Sequence, residues 1–147
     1  MAKTLTGTGK GIKVIILTAL TVYTLIACQI SEVNTMENNV SAQVIQLILD
    51  SNEIQQYLHP DAKNRLPVRV ATNNLIPTHI VVKKFEKPVL FSHQTPTKPH
   101  FEIITFKDSG DFIEFFIRYD VEGVRISGKA VVDGKKVSLA VLDVIES

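Results

Sequence analysis

The chain has 147 residues, enough for one domain with a modest core, and its 45% hydrophobic content is ordinary for a globular protein. Its net charge of +1 is unevenly distributed. Residues 1–27 hold three of the sixteen basic residues and none of the fifteen acidic ones, which leaves thirteen basic and fifteen acidic residues, a net charge of −2, in residues 28–147. A mildly acidic domain lacks the basic stripe that polyanion binding requires, so nucleic acid is excluded as an expected partner.

Residues 1–27 have the layout of a secretory signal peptide. Lys3, Lys10 and Lys13 precede an uncharged apolar run of fourteen residues at 14–27. Spanning a membrane as a helix takes roughly 20 residues, so the run is shorter than a typical transmembrane helix. A positive lead, an apolar stretch of this length and a small residue at its end, here Ala27, are typical of a cleaved export signal.

The one cysteine of the chain, Cys28, follows this run directly, so no internal disulfide is available to the protein. The four residues Leu25, Ile26, Ala27 and Cys28 resemble the lipobox of bacterial lipoprotein precursors. The resemblance implies cleavage between Ala27 and Cys28, a diacylglyceryl group on the Cys28 sulfur and a palmitate-bearing anchor in the cell envelope. Gln29 stands where an Asp would retain such a protein in the inner membrane, which favours the outer membrane, facing the periplasm, in a Gram-negative organism. The alternative is a signal anchor that is not cleaved.

The mature chain divides into a polar tether at 28–39 and a single globular domain at 40–147. From 40 to 58 the apolar residues recur with helical spacing, which predicts an amphipathic helix, either continuous or broken near 50–52. His59 and Pro60 end the pattern, because a residue before proline is disfavoured in the α region.

After Pro60 the pattern changes to short β-branched and aromatic runs separated by turn residues, which predicts strands. The segments "KDSGDF" at 107–112 and "VDGKKV" at 132–137, the second with the Asp-Gly turn signal, indicate hairpins. The sequence therefore predicts an α+β fold, one N-terminal amphipathic helix packed on an antiparallel β-sheet meander. The predicted strands are 66–72, 79–85, 88–93, 100–107, 112–121, 123–132 and 136–145.

No motif in the mature chain predicts catalysis. His59, His79, His93 and His100 lack the spacing of a zinc site, so no metal or other cofactor is expected. No Ser or Cys has the sequence context of an activated nucleophile. We therefore expect a protein that is not an enzyme; the alternative is a hydrolase-like site assembled from residues distant in sequence.

One face of the predicted hairpin formed by 112–121 and 123–132 combines aromatic and charged residues. Opposite charges on neighbouring strands stabilise each other, so one interpretation is a set of cross-strand pairs on a hydrated surface. The other is a partner-binding face, because exposed aromatics beside Arg are enriched at interfaces. Helix packing on this face would instead place the phenylalanines in the core. The residues concerned are Phe112, Glu114, Phe116, Arg118, Arg125 and Lys129.

These observations favour a membrane-anchored lipoprotein whose small extracytoplasmic domain binds a ligand or, more specifically, a protein partner. An immunity or inhibitor lipoprotein that neutralises a toxin or hydrolase is the alternative within the same class. It rests on the format of a small lipidated α+β domain alone.

Overall fold

The computed structural model describes residues 40–146. They form a mixed α/β fold that is mostly β, with two helices and a six-stranded sheet. Helix α1 covers residues 40–50 of the described part, and helix α2 is Asn52–Leu58. The strands are β1 Arg69–Ala71, β2 Lys83–Lys84, β3 Lys87–Pro88, β4 Leu90–Ser92, β5 Phe101–Asp108, β6 Phe112–Tyr119, β7 Val124–Asp133 and β8 Lys136–Glu146, with a 3₁₀ turn at Asp120–Glu122.

The helical pattern over 40–58 forms two helices, and the break lies within 50–52, where the sequence left one open. The chain bends at Ser51, whose backbone is extended and whose hydroxyl donates a hydrogen bond to the Ile48 carbonyl. Helix α1 buries Val44, Ile48 and their neighbours Ile45 and Leu49, each at most 2% exposed. This spacing of one, three and four residues places them on one stripe of the helix.

The sheet is mixed, so the prediction of a purely antiparallel sheet is wrong at one side. The strand order is β4-β1-β5-β6-β7-β8, and β1 pairs in parallel with both β4 and β5. Residues 72–89 separate β1 from β4, a connection long enough to return the chain in the same direction. Strands β5 to β8 form the expected antiparallel meander.

The core lies between the helices and one face of the sheet, which we call the inner face. Along β6 the odd-numbered residues are buried and the even-numbered ones are more exposed, as a strand with one covered face requires. Side chains of α1, α2 and the inner face belong to one continuous apolar cluster. At one end of it, the rings of Phe101 and Tyr119 stack with their centroids 4.0 Å apart.

Candidate partner-binding face

The opposite surface of strands β5 to β8, which we call the outer face, contains all six residues singled out in the sequence. The β6–β7 register sets Phe112 against Val131 and Phe116 against Ser127. It also sets Glu114 against Lys129 and Arg118 against Arg125. The predicted placement of these side chains on one surface is therefore confirmed, while a partner remains a matter for proposal.

The two phenylalanines of this face are not core residues. Phe112 and Phe116 are partly exposed, and neither belongs to the apolar cluster or to the side chains packed against it. The Nζ atom of Lys129 lies 3.3 Å from the centroid of the Phe112 ring, a cation–π contact. The helices cover the inner face and leave these rings at the surface.

Arg118 is occupied by carboxylates on its own side of the sheet. Its Nη2 atom lies 2.6 Å from Glu102 Oε2, and its Nε atom lies 2.8 Å from Asp120 Oδ1. Burial opposes ionisation of Glu102, but hydrogen bonds from Asn73 and Arg118 outweigh it and hold the pKa of Glu102 below its ordinary value. This part of the outer face is a cross-strand charge pair of the kind that the sequence allowed.

Arg125 has a different environment. It lies between Arg118 on β6 and Ile145 on β8, and its side chain makes no hydrogen bond or ion pair within residues 40–146. Glu114 and Lys129 face each other across the strands, yet no salt bridge joins them in the described part of the chain. Among the described residues, the charge pairs on the outer face therefore include Arg118 but not Arg125, Glu114 or Lys129.

Apolar side chains from β7 and β8 extend the outer face beyond the residues found by sequence. Val131 is 40% exposed, Val141 51% and Ile145 59%. In strand β8 the bulge at Ala140 shifts the alternation, so sequence periodicity does not distinguish the outward residues after it from the inward ones. The signal that identifies them is the register, which sets Val141 against Lys129 and Ile145 against Arg125.

A second cluster of polar side chains lies at the end of β6, and its members form hydrogen bonds and ion pairs with one another. Arg65 donates a 2.7 Å hydrogen bond to the Tyr119 hydroxyl and forms an ion pair with Glu122, which also lies 3.5 Å from His59 Nε2. Burial raises the pKa of Tyr119, and the Arg65 hydrogen bond only partly opposes it. The adjacent depression leaves no room for a water-sized molecule, so it does not form a small-molecule pocket.

The histidines make local contacts. His93 bridges two hydroxyls, with Nδ1 3.2 Å from Thr72 Oγ1 and Nε2 3.5 Å from Thr78 Oγ1. Thr72 is fully buried and so inaccessible to a substrate. Over residues 40–146, no group of three or more His, Cys, Asp or Glu side chains is arranged to hold a metal ion.

The predicted lipid attachment at Cys28 and cleavage after Ala27 lie outside the described residues. Within 40–146, neither helix has the length and hydropathy needed to cross a bilayer. No family model, curated protein or solved structure matches the chain.

Proposed function

We propose that this chain is a membrane-anchored bacterial lipoprotein whose extracytoplasmic domain binds a protein partner through the outer face. The anchor rests on the lipobox resemblance of Leu25, Ile26, Ala27 and Cys28. By the same resemblance the protein resides in the cell envelope, at the periplasmic side of the outer membrane if the organism is Gram-negative. The α+β arrangement supports the binding role, because the helices cover one face of the sheet and leave the other uncovered within residues 40–146.

The observation that carries the binding role is Arg125, an arginine with no described partner that lies beside the exposed Ile145 and the partly exposed Phe116. Ile145 faces it across β7 and β8, and Phe116 lies diagonally across β6 and β7. Arginine and aromatic residues are enriched at the centres of interfaces, where an arginine needs a carboxylate or carbonyl to accept its hydrogen bonds. We therefore expect a partner protein that presents an acidic group within an apolar surface.

The charge balance of the outer face favours a protein over a polyanion. Lys107, Arg118, Arg125 and Lys129 are mixed with Glu102, Glu114 and Asp143, so positive and negative charges are nearly equal. Nucleic acids and polyphosphates bind to surfaces with a clear excess of positive charge. A mixed rim around apolar residues is typical of protein–protein interfaces.

Photo-crosslinking and charge reversal test this proposal. A photoreactive phenylalanine analogue at position 116 in the full-length chain should crosslink one protein in envelope membranes, identified by mass spectrometry. Arg125→Glu should weaken binding to that protein more than tenfold, while the thermal midpoint stays within about 2 °C, because the arginine has no described contact to lose.

Lys98→Glu is the matched control, since it makes the same charge change at an exposed residue of the 93–100 loop. The control should bind as well as the parent chain. Equal binding by Arg125→Glu and the parent would remove the outer face from consideration. A loss of binding confined to Lys98→Glu would place the partner site on the loop.

A further inference from the structure

Strand β8 is a long edge strand with one side unpaired in the described part of the chain. It contains eleven residues and pairs only with β7. The other edge, β4, has three residues. An unpaired edge presents a row of N–H and C=O groups that a further strand is able to satisfy.

Strand β8 has few of the features that usually keep an edge strand from pairing with another chain. Between Val137 and Ile145 the strand contains one charged residue, Asp143, and no proline. Val141 and Ile145 expose more than half of their surface. A bulge at Ala140, the residue left unpaired where the register shifts, is the one irregularity. A long apolar edge of this kind is a template for β-strand addition.

We propose that β8 pairs with β8 of a second copy of this chain, in antiparallel orientation, to form a homodimer with a continuous sheet. The charges of the strand support this occupant. Lys135 and Lys136 stand at its beginning, and Asp143 and Glu146 stand near its end. Antiparallel pairing brings the basic end of one copy to the acidic end of the other, whereas parallel pairing aligns like charges.

The bulge determines which pairing register sets inward-facing residues of one copy against inward-facing residues of the other. Before Ala140 the inward residues are Val137 and Leu139, and after it they are Leu142 and Val144. Opposed residues on antiparallel strands share a face. With the two-fold axis at Val141, Leu139 meets Leu142 of the second copy and Val137 meets Val144. Lys136 then lies diagonal to Asp143 of the other chain.

Site-specific disulfide formation tests this register in the full-length chain. Val141 would face itself across the two-fold axis, with Cα atoms about 4.5–5.5 Å apart, within the range that a disulfide spans. Val141→Cys should therefore give a disulfide-linked dimer on mild oxidation. Ile145→Cys is the matched control, because Ile145 is equally outward and exposed but would lie roughly 25 Å from its own copy.

The expected result is a crosslinked dimer for Val141→Cys above the background of the parent chain, whose one cysteine is Cys28, and none for Ile145→Cys. Failure of Val141→Cys to crosslink, or equal crosslinking at both positions, would overturn the proposed pairing. Both positions are at least half exposed, so neither substitution disturbs the core.

Light scattering of the detergent-solubilised chain provides an independent measurement. The parent should have the protein mass of two chains, and Val141→Lys should reduce it to one, because two ammonium groups would meet at the axis. Val131→Lys adds the same charge on β7, away from the edge, and should remain dimeric. A parent mass of one chain at tens of micromolar would refute the dimer while leaving the partner-binding proposal intact.

Discussion

Glu102 joins two parts of the molecule through its carboxylate. It accepts hydrogen bonds from Asn73, which follows β1, and from Arg118 on β6. Asn73 also donates a 3.0 Å hydrogen bond to the Ile103 carbonyl. Its side-chain amide is therefore bound by both the Glu102 carboxylate and a strand carbonyl. Because these donors favour the ionised form, the folded protein gains stability from the Glu102 charge.

We expect this contribution to be lost in acid. The folded pKa of Glu102 lies below its ordinary value of 4.5, so the stabilisation is complete above about pH 4.5 and disappears as the pH falls through the folded pKa. The free energy of unfolding, measured by denaturant titration between pH 3 and 6, should decrease over this window. Glu102→Gln should make that decrease shallower and cost about 1 kcal/mol at pH 7.

Glu114→Gln is the control, because Glu114 has no ion pair in the described part of the chain. It should keep the acid-dependent decrease of the parent. An unchanged pH profile in Glu102→Gln would show that other carboxylates cause the acid sensitivity.

Gly128 is required for close packing between β7 and its neighbours. A Cβ atom at this position would lie 2.6 Å from Cζ of Phe115 and would overlap the carbonyl oxygen of Val141. The carbonyl belongs to the paired strand and cannot rotate away. We expect Gly128→Ala to lower the free energy of unfolding by about 2–3 kcal/mol, as overpacking does, measured by urea denaturation. Ser127→Ala, one residue earlier, should change it by less than about 0.5 kcal/mol.

At the scale of elements, helix α1 holds the β2–β3 hairpin by two contacts. The Gln46 side chain accepts from the Lys83 N–H and donates to the Lys83 carbonyl, at 3.1 and 2.9 Å. Lys84, 9% exposed, places its Nζ atom 2.8 Å from Asp50 Oδ1. Burial opposes ionisation of Asp50, but the Lys84 and Gln46 hydrogen bonds outweigh it and lower its pKa. Both residues of β2 thus fix the hairpin to helix α1.

Removing the Asp50 charge should loosen this attachment. Asp50→Asn leaves the Lys84 ammonium buried without its counter-ion, and we expect a loss of about 1 kcal/mol because the aspartate itself is half exposed. Hydrogen exchange should show faster exchange of the amides of residues 82–89. Asp61→Asn, at an exposed turn residue with no described ion pair, should change neither quantity.

The elements differ in how far their sequences determine them. Strands β6 and β7 follow from alternation and the turns beside them, which is why the shared face of Arg118 and Arg125 was predictable. The parallel pairing of β1 was not, because residues 72–89 separate it from β4 and no local pattern encodes a return in the same direction. The partner of Arg118 was missed for the same reason, since Glu102 lies on another strand and only the fold brings the two together.

At the scale of the whole molecule, the two proposed interfaces occupy different parts of the sheet. Partner binding uses the outer face around Arg125, and dimerisation uses the free edge of β8. Because edge pairing leaves outward side chains uncovered, a dimer would present two outer faces on one continuous surface. Two binding sites on one assembly raise the effective concentration of a multivalent partner.

The proposed lipid anchor would keep this assembly near a membrane. Residues 28–39 span at most about 40 Å when fully extended, which limits the distance from Cys28 to α1. Each buried methylene contributes about 0.8 kcal/mol, so one acyl chain binds marginally and two or three bind stably. If the proposed anchor is correct, membrane residence of the domain depends on acylation at Cys28.

Cys28→Ser tests the anchor, because serine lacks the sulfur that receives the diacylglyceryl group. We expect this variant to lose incorporation of labelled palmitate and to accumulate as an unprocessed precursor, detected by its slower migration on gels. Ile26→Ala is the matched control; it alters the same four-residue motif toward the small residues common at that position in bacterial lipoproteins. The control should be labelled and processed like the parent chain. Undiminished palmitate labelling of Cys28→Ser would contradict the lipobox assignment, and the domain would then need another explanation for any membrane association.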